Sequence, residues 1–259
     1  MPTSHSIHRM TYRYIDPSTF SAEQSSKILR NLGASAPLLR VNMVASKKMT
    51  SIINSQMVQR MAKGTLSKEE WDRKYMRADA LYIYNLGRAL AMRAAKENEK
   101  DSLSLMEFAK MFLGYGKHFA RLKKYGLSET DTLVSPECDQ HIDFLSKNTS
   151  IHEFYFAILT DMIPYVVFSN YLLHSIGLID DNPWKDYAKK YGDLNNKYAK
   201  ENLGKTIQIA NEILLSQKID ITTAEKLFQD GFSFEEWFIR KAFSEGFNIK
   251  TLATDTNLS

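Results

Sequence analysis

The chain is poor in the residues and patterns that most often announce a chemistry. Cys138 is the one cysteine in 259 residues, so an intrachain disulfide and a zinc–thiolate site are both excluded. That usage, beside many lysines and tyrosines, suits a reducing compartment, and a soluble cytoplasmic protein is expected. No window reaches about 18 uninterrupted apolar residues, and the first twenty residues lack an apolar run of signal-peptide length. Neither a membrane span nor secretion is expected, so the glycosylation-like triplet Asn148-Thr149-Ser150 carries little meaning. The net charge is only +4, with lysines and arginines interleaved among acids, and the basic stripe that nucleic acid requires is missing. Nucleophile-elbow, phosphate-loop, dinucleotide and zinc-protease motifs are absent, as are the repeated Glu-x-x-His motifs of a di-iron bundle. No segment alternates convincingly as a strand, and no repeat has a solenoid period.

What is present is helical periodicity. Residues 1–35 read as an N-terminal arm with a short helix from Ser21 to Gly33, residues 36–247 as one helical domain, and residues 248–259 as a polar tail that frays. Pro37 fits the first turn of a long helix ending at Gly64, with an apolar face of Leu39, Met43, Met49, Ile53, Met57 and Met61. Methionine on such a face reads as adaptable packing. Ser67 and Glu70 form a capping box that launches a helix to about Glu97, in which Gly87 marks close approach of another helix. Asp101 or Ser102 caps the next helix, which buries Leu105, Phe108, Phe112, Phe119 and Leu122. Ser135-Pro136 opens a short helix holding Cys138, His141 and Phe144.

Ser150 and Glu153 then box the most apolar segment, expected to run to Gly177 as a central buried helix kinked at Pro164. Asn182-Pro183 begins a helix with Trp184, Tyr187 and Tyr191, stopped at Gly192. The next carries Leu194, Tyr198, Leu203, Ile207, Ala210 and Leu214, with Gly204 as a close contact. Thr222 and Glu225 box the last helix, whose stripe is Phe228, Gly231, Glu235, Phe238 and Ala242. The fold class is therefore all-α: a single-domain helical bundle.

Two acids stand on inward faces. Asp79 lies between Tyr75 and Tyr82 on the stripe of the Ser67 helix, and Glu235 lies between Gly231 and Phe238. Burying an ionised carboxylate costs several kcal/mol unless partners or a ligand satisfy it. Asp79 by itself fits either a structural acid bonded to core tyrosines or a ligand anchor. His118 and Cys138 read as structural residues, although Cys138 lies one turn before His141 and is the only thiol a nucleophilic mechanism has available.

The run KGTLSKEEWDRKYMRADALYI resembles the G-T-L…F-x-x-Y-hydrophobic-x-Q-D-x-x-Y-L signature of the TenA family, the thiaminase-2 branch of the haem-oxygenase-like helical fold. Later elements match in order between about Ile53 and Phe243: His118, Ser135-Pro136, the Ile-Pro of the central helix, W-x-x-Y-x-x-x-Y-G from Trp184 to Gly192, and E-x-x-F-x-x-x-A-F from Glu235 to Phe243. One-residue offsets fall before Asp79 and before Pro164. The resemblance implies a pocket for an aminopyrimidine, no cofactor, a homo-oligomer, and hydrolysis of thiamin or its aminopyrimidine breakdown products. Carried over by position, Asp79 would bind the ring's amino and nitrogen groups, Tyr82 and Tyr191 would line the ring site, and Glu235 would transfer protons. The family's nucleophilic cysteine is here Tyr165, a pocket tyrosine is His141, and the glutamine before the aspartate is Ala78. A phenol with an ordinary pKa near ~10 is a poor substitute for a thiol. Two readings therefore stand: a C–N hydrolase with an altered mechanism, or a relative that binds a small ligand or a partner without turnover, favoured by Tyr165 and the N-terminal arm.

Overall fold

The chain is helical almost throughout because apolar residues recur at helical spacing and each long segment finds a cap. The computed structural model describes residues 22–147, 149–176 and 181–251. The expectations for the arm, the helix start at Ser21, the Asn148 triplet, the stop at Gly177 and the last residues of the tail lie outside that range. The described helices are α1 (Ala22–Asn31), α2 (Ala36–Met43), α3 (Ser46–Ile53), α4 (Gln56–Ala62), α5 (Lys68–Trp71), α6 (Arg77–Ala94), α7 (Glu99–Phe112), α8 (His118–Lys124), α9 (Pro136–Ser146), α10 (Ile151–Ile176), α11 (Lys185–Gly192), α12 (Lys205–Leu215) and α13 (Ile221–Ser244).

α10 is the axis. Its apolar residues face inward on every side, and it packs against α3, α4, α9, α11, α12 and α13. It is long and apolar enough to cross a membrane, yet 83% of its most apolar window is buried inside the bundle. The box at its start is formed in both directions, with Ser150 N–H donating to Glu153 and Glu153 N–H donating to Ser150 Oγ. Pro164 sits within the helix, which continues past it.

Several expectations need correction. The helix from Pro37 to Gly64 is three helices, broken after Met43 and after Ile53. The break shifts the phase of the apolar face, so Met43 is 58% exposed while Met49, Met57 and Met61 are buried. The helix through Phe112 and Leu122 is interrupted by Gly114 and Gly116, both at positive φ, and Phe119 consequently points outward. Asn98 caps α7 and Asp220 caps α13, each accepting the backbone N–H three residues on, in place of the residues expected. Ser67 does cap α5, but the Glu70 side chain turns away to a forked pair with Arg60, which pulls its carboxyl down to about 2. The tail also begins with structure: β2 (Asn248–Lys250) pairs antiparallel with β1 (Thr132–Val134), a two-stranded ribbon where no strand was expected.

Glycines set the closest helix approaches. A Cβ at Gly87 would meet Leu113 of the α7 segment at 2.8 Å, the close approach expected there, whereas Gly204 meets only ordinary contacts. Gly231 faces Thr160, whose Oγ1 would lie 2.0 Å from an added Cβ, so α13 crosses α10 at van der Waals contact. At Gly192 the obstacle is main chain, with Ser169 C and O at 2.4 Å, and the Gly192 carbonyl accepts from Asn170 Nδ2 at 2.8 Å. Because backbone cannot rotate away, Gly192→Ala is expected to destabilise the fold by about 3 kcal/mol, the upper part of the overpacking range. Urea unfolding of the variant measures it, and a cost under about 0.5 kcal/mol contradicts this packing.

Candidate functional site

The signature residues Trp71 and Asp79 are one residue further apart here than in the family pattern, and the backbone shows how that residue is absorbed. Between α5 and α6 the helix widens into a π turn at Asp72–Met76, so the helix stays continuous while Asp79 and Tyr82 keep their inward face. Asp79 and Tyr82, three apart on α6, are both buried. α9, fixed by Ser135 Oγ accepting the Cys138 N–H at 3.3 Å, presents His141. α10 presents Asp161 and, one turn later, Tyr165. α13 presents Glu235 one turn beyond Gly231, so the crossing that Gly231 permits at Thr160 also brings Glu235 to Asp161.

These side chains form one polar chain through the core. The Tyr75 and Tyr165 hydroxyls are hydrogen-bonded to each other, and Tyr165 lies within hydrogen-bonding reach of Glu235. Glu235 and Asp161 meet carboxyl to carboxyl. Tyr82 donates to Asp161 Oδ2 at 3.2 Å, and its oxygen lies 2.7 Å from His141 Nδ1. One hydroxyl hydrogen cannot serve both partners, so with Tyr82 donating to Asp161 the imidazole donates through Nδ1–H and leaves Nε2 as a bare acceptor. Rings enclose the chain. Phe234 stacks on His141 at 3.8 Å and 7°, while Phe234 and Phe238 flank Tyr82.

Burial dominates the electrostatics. It pushes Asp79 up to about 7 against the pull of the Arg121 charge. It pushes Asp161 up to about 8 against the Tyr82 hydrogen bond. Glu235 is raised well above the ordinary carboxyl range, first by burial and then by the neighbouring Asp161 and Asp79. Burial drives His141 down to about 3, so its 3.7 Å approach to Asp161 is not an ion pair at neutral pH. Tyr75, Tyr82 and Tyr165 are all held well above the normal phenol range by burial, so each is a neutral hydroxyl.

Of the residues expected from sequence, Asp79, Tyr82, His141, Tyr165 and Glu235 come together. Tyr191 stands one ring further out, packed on Tyr187 and Tyr198, and these two tyrosines are the ones whose hydroxyls respond to Asp79. Asp161 was missed. Its signal was available, since it is the only acid of α10 beyond the first turn, in the most apolar segment of the chain. Phe234, next to Glu235, was also missed, because aromatic residues crowd that helix. Cys138 is 2% exposed and burial pushes its thiol up to about 12, which suits packing rather than nucleophilic attack. Cys138→Ser is expected to leave any turnover within about twofold, and wild-type activity should resist iodoacetamide. Loss of activity on either treatment contradicts this.

Outside the cluster, a groove of about 350 Å³ runs between α9 and α13, and His141 and Phe234 form part of its wall. Glu137, Phe144 and Trp237 border it as well. The stacked pair therefore separates the buried acids from a surface opening.

This arrangement defines an all-α bundle with a carboxyl–tyrosine site at the crossing of its longest helices. The chain belongs to the TENA/THI-4/PQQC family, whose model matches residues 45–245. Among solved structures it is similar to a TenA homologue from P. horikoshii OT3, with a TM-score of 0.65 and 22% identity over 81% of this chain and 99% of that one. A TenA homologue from Pyrococcus furiosus matches with a TM-score of 0.57 and 14% identity over 85% and 100% of the two chains. A TenA-like protein from Sulfolobus solfataricus P2 gives 0.54 and 16% over 85% and 95%. At these identities the likeness speaks for the fold: the helical bundle expected from the sequence. No curated protein matches the chain.

Proposed function

We propose that the protein hydrolyses a C–N bond of an aminopyrimidine, in the salvage or degradation of thiamin. The observation that carries this reading is the contact between Glu235 and Asp161, two buried carboxyls beside Asp79 within a ring of tyrosines. A carboxyl raised to about 7 occupies both protonation states near neutrality. As a neutral acid Asp79 donates to a ring nitrogen while accepting from the adjacent amino group, and as a carboxylate it accepts from both. Glu235 moves the protons. It passes its proton to the departing nitrogen, water's oxygen bonds to the carbon, the C–N bond breaks with its electron pair on nitrogen, and water's proton returns to Glu235. Ammonia and an alcohol result from an amine and water, and Glu235 ends as it began.

Water is the nucleophile in this scheme because Tyr165 is not suited to be one. Burial and the neighbouring acids keep its phenol neutral. Its place beside Glu235 instead suits orientation of that carboxyl. The same observation favours the second reading, a relative that holds the ligand without turning it over. Incubation of the purified chain with aminomethylpyrimidine and formylaminopyrimidine separates the two. Release of hydroxymethyl or aminomethyl product supports the hydrolase, thermal stabilisation without product supports the binder, and neither effect removes both.

A further inference from the structure

Glu235 and Asp161 are two acids in one dry space, and among the described residues neither forms a salt bridge with a lysine or arginine. Glu235 is 2% exposed, Asp161 7% and His141 5%. Each carboxyl keeps one oxygen, Asp161 Oδ1 and Glu235 Oε2, with no hydrogen-bond partner, and His141 Nε2 beside them is also unpartnered. Three unpartnered polar atoms in one apolar setting cost stability unless something supplies donors. Oxygens of two carboxylates and a bare imidazole nitrogen are all acceptors, so the missing group is a compact donor with several hydrogens and a positive charge. A metal ion is the other candidate, but no three His, Cys, Asp or Glu side chains among the described residues are grouped to hold one. An ammonium group meets both needs, with three donors and one charge.

We infer that Asp161 and Glu235 form an ammonium-binding pair, and that Asp161 makes the site select a ligand bearing a protonated amine over its neutral counterpart. In the empty protein a shared proton fills the place of the ammonium and satisfies one oxygen of each carboxyl. The bound amine displaces that proton to solvent, so binding at pH 7 releases about one proton. The groups facing Asp161 are Tyr82 and Asp79 on α6, His141 on α9, Glu235 on α13 and Tyr198 in the π turn before α12. None of them carries a positive charge at neutral pH. Burial holds Asp161 near about 8, so release should fade as pH rises through that value and the acid is already ionised. The groove ending on His141 and Phe234 is the route by which the amine reaches the pair.

This inference rests on the reading above only for where the ligand sits, not for its ring or its turnover. Its test is calorimetric titration of the full chain with benzylamine and benzyl alcohol, repeated with hydroxymethylpyrimidine, in buffers of different ionisation enthalpy. Benzylamine is expected to bind at least about 10-fold tighter than benzyl alcohol, as the loss of a charged hydrogen bond implies. Asp161→Asn should abolish that preference, and the heat of amine binding to the wild type should vary with the buffer as one released proton requires. Equal affinity for amine and alcohol overturns the inference, and so does a preference that Asp161→Asn leaves unchanged. If that variant does not fold, buffer-independent heats on the wild type overturn it alone. Hydroxymethylpyrimidine binding with no amine preference leaves the aminopyrimidine reading standing and removes the ammonium pair. An amine preference without pyrimidine binding does the reverse.

Discussion

Glu235→Gln is expected to lower turnover of aminomethylpyrimidine by about 10²- to 10⁴-fold, the range that a positioned acid–base group contributes, while the variant unfolds no more easily than the wild type. Glutamine keeps the shape of the side chain and accepts the reach of Tyr165, so packing against Asp161 and Tyr165 survives. It cannot pass a proton to the leaving nitrogen or take one from water. It also removes an acid whose ionisation burial opposes, and a neutral isostere at such a position relieves a cost carried for function. Ammonia release measured beside thermal denaturation tests both halves. Activity within threefold of the wild type removes Glu235 from the mechanism, and a large loss of stability makes its role structural.

The empty protein should lose stability as pH rises from 6.5 to 8. Asp79 and Asp161 have unfolded values near 3.8 and folded values of about 7 and about 8. In that window the native state holds protons that the unfolded chain has already lost, so rising pH favours unfolding. Glu235, raised further, acts in the same direction. His141 works oppositely but elsewhere. Its pKa falls from 6.5 to about 3 on folding, so the stability from its neutral form is lost as pH drops below 6.5, and it leaves the higher window untouched. At about 1.4 kcal/mol for each tenfold change in proton affinity, two to three coupled groups give a decline on the order of 2–4 kcal/mol across the window. Urea unfolding at stepped pH measures it, and Asp161→Asn should flatten the curve. A profile that rises from 6.5 to 8 contradicts the placement of these acids in one buried cluster.

Much of the site was legible because helical spacing reports the inward face. Asp79 and Glu235 could be recognised as inward acids from their neighbours three and four residues away, and α10 as the axis from its apolar surround. Local caps were readable where the capping residue and its N–H partner are three apart, as at Ser135 and Ser150. They were misread at Asn98 and Asp220, where two polar residues compete for one helix start. Asp161 escaped attention because its importance comes from α13, more than seventy residues away in sequence, through Gly231 and Glu235. The same holds for Tyr187 and Tyr198, which lie nearer Asp79 than Tyr191 does. Their partner is set by how the helices cross, and spacing along one helix carries no record of that.

By itself the sequence determined an all-α chain, the capped and apolar helices that compose it, the two inward acids Asp79 and Glu235, and the replacement of a thiol by Tyr165. Those properties are local, fixed by periodicity, capping and residue identity. Only the tertiary structure decided that the acids share one space, that Asp161 joins them, and that a π turn at Asp72–Met76 absorbs an extra residue without turning Asp79 away. Burial raises a carboxyl's pKa and contact couples it to its neighbour, and both depend on packing between helices distant in sequence.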